Sequence, residues 1–115
     1  MTNANDQLRE FTGTSQWFKH FTGKLYTEGV QYMAETFQAY WFIDLVFSHQ
    51  LTPKVRIEEF QTWELRRIDG CKFIAVATDG NDNIIAKQFI QFSDFSDDQL
   101  KLFYANDVLM LPSEY

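Results

Sequence analysis

Val30, Met33, Ala34 and Phe37 recur at i, i+3, i+4 and i+7, the spacing that lines one face of an α-helix. Thr27 stands just before them as an N-cap, and Glu28 puts a carboxylate near the positive end of the helix dipole. From Tyr40 the chain is almost continuously apolar through Trp41, Phe42, Ile43, Leu45, Val46 and Phe47. Asp44, Ser48 and His49 interrupt that run at helical spacing, so a mostly buried helix ending near Gln50 is expected, with a strand as the alternative. Pro53 closes the region. Upstream, Asn5 or Asp6 can cap a short turn through Gln7, Leu8, Arg9 and Phe11 that stops at Gly13. Thr14 and Ser15 offer a second cap before Trp17, Phe18 and Phe21, with a stop at Gly23. The tripeptide Phe-Thr-Gly at 11–13 and 21–23 reads as helix-ending punctuation used twice, because its spacing is too short for a repeat protein.

The pattern changes in the second half. Residues 60–68 alternate, with Gln61, Trp63, Leu65 and Arg67 on one face and Phe60, Thr62, Glu64 and Arg66 on the other. Asp69-Gly70 has the chemistry of a two-residue hairpin turn. Strand-forming residues fill 71–78, a longer turn spans 79–83, and a further strand is expected over 84–92. A polar loop at 93–98 leads to 100–105, and Asn106-Asp107 turns the chain into 108–111. Helices first and strands later predict an α+β fold. In it, N-terminal helices pack on one face of a C-terminal antiparallel sheet of four to five strands, in a single domain over 1–115.

Several strings carry a resemblance. They are Phe11-Thr12-Gly13-Thr14, Trp17-Phe18-Lys19-His20, Leu25-Tyr26-Thr27-Glu28-Gly29-Val30 and Ala39-Tyr40-Trp41 with Asp44. Ser48-His49-Gln50, Thr78-Asp79-Gly80-Asn81 and the ending Leu111-Pro112-Ser113-Glu114-Tyr115 complete them. Over nearly its whole length the chain is similar to a family of small bacterial, plasmid and phage proteins of unknown function. The resemblance implies an origin among bacteria and their mobile elements. It implies no activity, cofactor or catalytic residue.

Composition narrows the function classes. The chain has 115 residues, 45% hydrophobic and 23% charged, which is globular and enough for one core. Sixteen acids against ten bases give a net charge of −6, which argues against direct binding to phosphates. The single cysteine, Cys71, excludes an intrachain disulfide and fits a reducing cytosol. The polar N-terminus lacks a signal peptide's basic start and apolar stretch, and the run ending at Phe47 is about half of the roughly 20 residues a bilayer span needs. A cytoplasmic, soluble protein is expected. Twelve Phe, five Tyr and three Trp make 17% of the chain, more rings than one small core hides, so some are expected at a contact surface.

Asp44 is the first candidate for chemistry, because a carboxylate among apolar residues is costly to bury without a partner. It reads either as a general acid or base with His49 or His20 nearby, or as a structural group that caps a helix or pairs with Arg9 or Arg56. Ser48 and His49 cannot act on each other, since neighbours on a helix point about 100° apart. No metal site is expected: His20, His49 and Cys71 are scattered, and no cofactor motif occurs. Asp79 to Asn83 superficially resembles a calcium loop, but Ile84 and Ile90 occupy the positions that need Gly and Glu.

Charge is uneven. From residue 79 onward seven acids face only Lys87 and Lys101, so the last third carries nearly all of the net charge. Asp94, Asp97 and Asp98 share one loop with Phe92 and Phe95, and Asp82 lies in the preceding turn. That pattern reads as a solvated sheet edge or as an acidic, aromatic surface for a protein partner with a basic face. The expected function is a small binding protein of phage or mobile-element type that docks on a host protein and inhibits a nucleic-acid-handling defence complex. The alternatives are a small enzyme with a pocket at Asp44, and a structural protein that forms a homodimer through a strand edge such as 108–111.

Overall fold

A computed structural model describes residues 16–115. Its centre is one seven-stranded mixed sheet. The strands are β1 (Trp17–Lys19), β2 (Leu25–Thr27), β3 (Phe60–Asp69), β4 (Lys72–Thr78), β5 (Ile84–Ile90), β6 (Gln99–Ala105) and β7 (Val108–Met110). Three short helices lie between β2 and β3: α1 (Glu28–Thr36), α2 (Tyr40–His49) and α3 (Pro53–Arg56). The strand order is β1-β2-β7-β6-β3-β4-β5, and every pairing is antiparallel except β2 with β7. No helix of the described residues is long and apolar enough to cross a membrane.

This overturns the expected layering of N-terminal helices on a C-terminal sheet of four to five strands. Trp17, Phe18 and Lys19 form a strand instead of a helix, and Gly23 (φ +92°) completes a hairpin turn instead of a helix cap. In that turn His20 N donates to Lys24 O at 2.8 Å, and Gly23 N donates to His20 O at 2.8 Å. Three aromatic positions in so short a run fit either period, and the decision falls to tertiary pairing. The parallel pairing of Leu25 with Val108 and Tyr26 with Leu109 brings the first strands into the same sheet as the last. As a result β7 is an interior strand, not the exposed edge that self-association through 108–111 needs. The expected helical turn from Gln7 to Phe11 lies outside the described residues.

Thr27 does cap α1: its Oγ1 accepts from Val30 N at 3.3 Å. The helical run then breaks at Phe37 and Gln38, where φ of +55° ends one helix before Tyr40 begins the next. Pro53 opens α3 instead of closing the region, in keeping with proline's tolerance at the first helical turn. The β3–β4 turn falls on Gly70 and Cys71, because a bulge at Ile68 pairs Asp69 with Lys72. Asn106 and Asp107, both with positive φ, form the expected tight turn into β7.

The core lies on one face of the sheet. Gln61, Trp63 and Leu65 of β3 point inward, and the register sets Trp63 between Ala77 and Leu102 and Leu65 between Ala75 and Leu100. Val30 and Met33 of α1 and Phe42, Val46 and Phe47 of α2 complete the same cluster. Each large side chain removed from water there contributes about 1.5–3 kcal/mol. The polar member, Gln61, is fully satisfied. It exchanges amide bonds with Gln50 at 2.8 and 2.9 Å, donates to Val55 O at 2.9 Å, and accepts from Trp63 Nε1 at 2.9 Å. That network fastens the end of α2 and Val55 of α3 to the central strand.

Candidate functional site

Asp44 and His20 are brought together. Tyr40 and Asp44 are one helical turn apart on α2, and the turn after β1 carries His20 to them. The His20 ring is buried, with Phe21 at 4.2 Å and Phe47 edge-on at 4.7 Å between centroids. Its Nε2 lies 2.6 Å from Asp44 Oδ1, and its Nδ1 accepts from Thr22 N at 3.2 Å beside Thr22 Oγ1 at 2.8 Å. A backbone amide can only donate, so the neutral ring carries its proton on Nε2 and gives it to Asp44. Both nitrogens are thereby committed, and the dyad pins the β1–β2 turn onto α2. Asp44 keeps its outer side in water, with 59% of the side chain exposed. Partial burial, with Tyr40 and Asp44 nearby, pushes the Tyr26 phenol above its ordinary value.

The other members of the expected cluster point elsewhere. His49 Nε2 lies 2.7 Å from Gln88 Oε1 on β5, and Ser48 Oγ donates to Leu45 O at 2.7 Å in its own helix. Asp44 therefore pairs with His20 and not with Arg56, while Arg9 lies outside the described residues. Among the described residues no group of three or more His, Cys, Asp or Glu is placed to hold a metal ion.

The acidic loop after β5 is more ordered than its composition indicates. Phe95 is not a surface anchor: it is 2% exposed and packs against Phe37 and Phe73 at 5.8 and 6.1 Å between centroids. Arg67 ties the loop down. Its Nε donates to Asp98 Oδ1 at 2.9 Å, its Nη2 to Phe95 O and Asp97 O at 3.0 and 3.2 Å, and its Nη1 to Gly70 O. The guanidinium also lies 4.7 Å over the Phe73 ring. Asp82 does not join this patch. The β4–β5 register runs from Phe73 opposite Ile90 to Thr78 opposite Ile84, so Asp82 is at the far end of the hairpin, about 20 Å away. Its turn is organised by Asp79, which accepts from Asn81 N at 2.8 Å and Asn83 Nδ2 at 2.9 Å. Those bonds, that from Asn83 first, hold the Asp79 carboxyl below its usual range.

Among the described residues, two surface clefts bear on these candidates. One, of about 290 Å³, is polar and of mixed charge, with Lys24, Arg56, Glu58, Glu59, Tyr104 and Asp107 in its walls. Burial, and then Asp107, raises the Tyr104 phenol; Tyr104 OH donates to Asp107 Oδ1 at 3.2 Å. The other, of about 350 Å³, lies between Trp41 of α2, Ile90 at the end of β5, and Phe92, Ser93 and Asp94 of the loop. Phe92 is 72% exposed and the Asp94 carboxylate is in solvent at the rim. The sequence marks Phe92 and Asp94 as candidates by their interleaving. It gives no sign that Trp41 joins them, because that juxtaposition depends on how α2 lies over the sheet.

No curated protein and no solved structure matches the chain. A family model, described as "Family of unknown function (DUF6876)", matches residues 2–115, and the chain belongs to that family.

Proposed function

We propose that this chain is a protein-binding module that docks on a partner with a basic surface through the corner formed by Trp41, Phe92 and Asp94. The observation that carries this reading is the open cleft in which two aromatic side chains stand beside an exposed carboxylate. Such a cleft takes a lysine or arginine well: the rings contact the methylene stem and the cationic head, at about 0.5–2 kcal/mol, and the carboxylate supplies the opposite charge. Arg67 and Phe95 hold the loop in place beforehand, which lowers the ordering cost of binding. The net charge of −6 steers a basic partner towards the chain.

A partner that presents cationic side chains suits a protein that handles nucleic acid. On this reading the chain is a cytoplasmic inhibitor of phage or mobile-element type that covers such a surface on a host defence complex, without touching nucleic acid itself and without a cofactor. The enzyme reading has less support, since Asp44 and Thr22 occupy both nitrogens of His20, and His49 is engaged by Gln88.

The test is affinity capture from bacterial lysate with tagged chain, with and without nuclease, at low and high salt. The expected result is a basic protein complex held at low salt, independent of nuclease, and lost by Phe92→Ala with Asp94→Asn. Equal retention by that variant removes the corner from the account, and nuclease-sensitive capture contradicts direct protein docking.

A further inference from the structure

The cleft is continuous with β5, one of the two edge strands among the described residues, since Ile90 belongs to both. Among the described residues β5 is paired on one side only, with β4. In an antiparallel ladder alternate residues turn their N–H and C=O away from the neighbour, so β5 presents a row of outward backbone groups. Natural edges of this kind are usually short, charged or interrupted by proline. This one spans seven residues with Lys87 as its single charge and no proline; its one irregularity is a bulge at Ile85, which leaves 86–90 as a regular run, and it exposes Ile84 and Phe89, the latter at 65%.

We infer that the partner contributes an extended segment that adds to β5 as an eighth, antiparallel strand and places a lysine or arginine in the Trp41–Phe92–Asp94 cleft. The inference rests on the docking reading above and specifies its mode. Antiparallel pairing puts the segment's N-terminal end beside Ile90, so the basic residue comes first and strand-forming residues follow. Main-chain bonds to β5 supply affinity, and the cleft supplies selectivity for the cation. Charge decides against a second copy of this chain as the occupant. Symmetric pairing about the middle of β5 sets Lys87 directly opposite its own copy, and it brings two chains of charge −6 together.

The experiment uses the full chain and a short synthetic peptide that begins Lys-Arg and continues in alternating Val and Thr. Calorimetry measures affinity, and amide hydrogen exchange reads residues 84–90. Two further peptides carry N-methyl groups on every second backbone amide, in opposite phases, and a fourth replaces Lys-Arg by Glu-Glu. Strand addition predicts protection of alternate β5 amides and a loss of about tenfold or more in affinity for one methylation phase only. Equal binding by both methylated peptides overturns strand addition and leaves the docking reading intact. Equal binding by the Glu-Glu peptide overturns the docking reading, and no binding of the parent peptide at millimolar concentration overturns both. Protection of β5 in the chain alone, rising with concentration as it dimerises, assigns the edge to a second copy and overturns the inference.

Discussion

The Nε2 of His20 lies 2.6 Å from Oδ1 of Asp44, joining the turn after the first strand to the middle of the second helix. The ring is buried and the carboxylate half in water, so the bond excludes solvent on one side only. With the edge-on packing of the ring against Phe47, it ties the β1–β2 turn to α2. Replacing His20 by Ala leaves a hole between Phe21 and Phe47 as well as a lost bond, whereas Asp44→Asn keeps the shape. Asp44→Asn is expected to cost about 1–2 kcal/mol and His20→Ala more. Chemical denaturation of the two variants and their double mutant measures both terms; strict additivity contradicts the tie.

Arg67 carries the conformation of the acidic loop. Truncating it to Ala removes bonds to Asp98, Phe95, Asp97 and Gly70 and the contact over Phe73. A loss of about 1–3 kcal/mol is expected, with faster amide exchange over 93–98. Arg67→Lys recovers little, because an ammonium cannot reach several carbonyls at once as a planar guanidinium does. Full recovery by lysine means that charge alone holds the loop.

Gly29 has no room for a side chain. A Cβ there meets Leu111 Cδ1 at 2.6 Å and Glu114 Oε1 at 2.7 Å. Glu114 is fixed: its Oε1 accepts from Thr27 Oγ1 at 2.6 Å and from Leu111 N at 2.9 Å. Gly29→Ala therefore displaces the C-terminal turn from the start of α1, at roughly 1–3 kcal/mol. Unchanged melting of that variant contradicts the packing described.

Two groups set opposite pH limits. The Asp79 carboxyl is held below its unfolded value, so its contribution is complete above the ordinary carboxylate range and fades as pH falls through the lowered value. The Tyr104 phenol is held above its unfolded value. Its contribution is complete below about pH 10 and is lost as pH rises towards the raised value. Asp79→Asn is expected to weaken the acid-side decline in stability, and Tyr104→Phe the alkaline one. Urea midpoints across pH decide both; a variant with the wild-type profile removes its residue from the account.

Where one surface pattern met one element, the sequence was readable. The i, i+3, i+4, i+7 face of Val30, Met33 and Ala34 became α1 with Thr27 as its cap, and the alternation around Trp63 became β3, which turns Gln61, Trp63 and Leu65 inward but not Arg67. Trp17 to Phe21 misled because three aromatic residues satisfy helix and strand spacing alike, and the choice came from the parallel β2–β7 pairing far along the chain. The same limit applies to the site. Asp44 was legible as a candidate, because a lone carboxylate in an apolar run demands a partner, but the sequence leaves that partner open among His20, His49, two arginines and a helix end. The acidic neighbours of Phe95 suggest a surface anchor, yet a ring between Phe37 and Phe73 is core. Trp41 carries no such signal, since its contribution to the cleft depends on helix placement.

In the proposed docking, Asp94, beside Trp41 and Phe92, receives a cationic side chain of the partner. The most direct measurement compares Asp94→Asn with Asp82→Asn for binding to the captured partner across ionic strength. Each variant removes one exposed carboxylate, but Asp82 lies at the far end of the hairpin. Docking in the cleft predicts about tenfold weaker binding and a shallower salt dependence for Asp94→Asn, with Asp82→Asn close to wild type. Equal losses in the two variants mean that net charge alone draws the partner, and that result contradicts a docking site in the cleft.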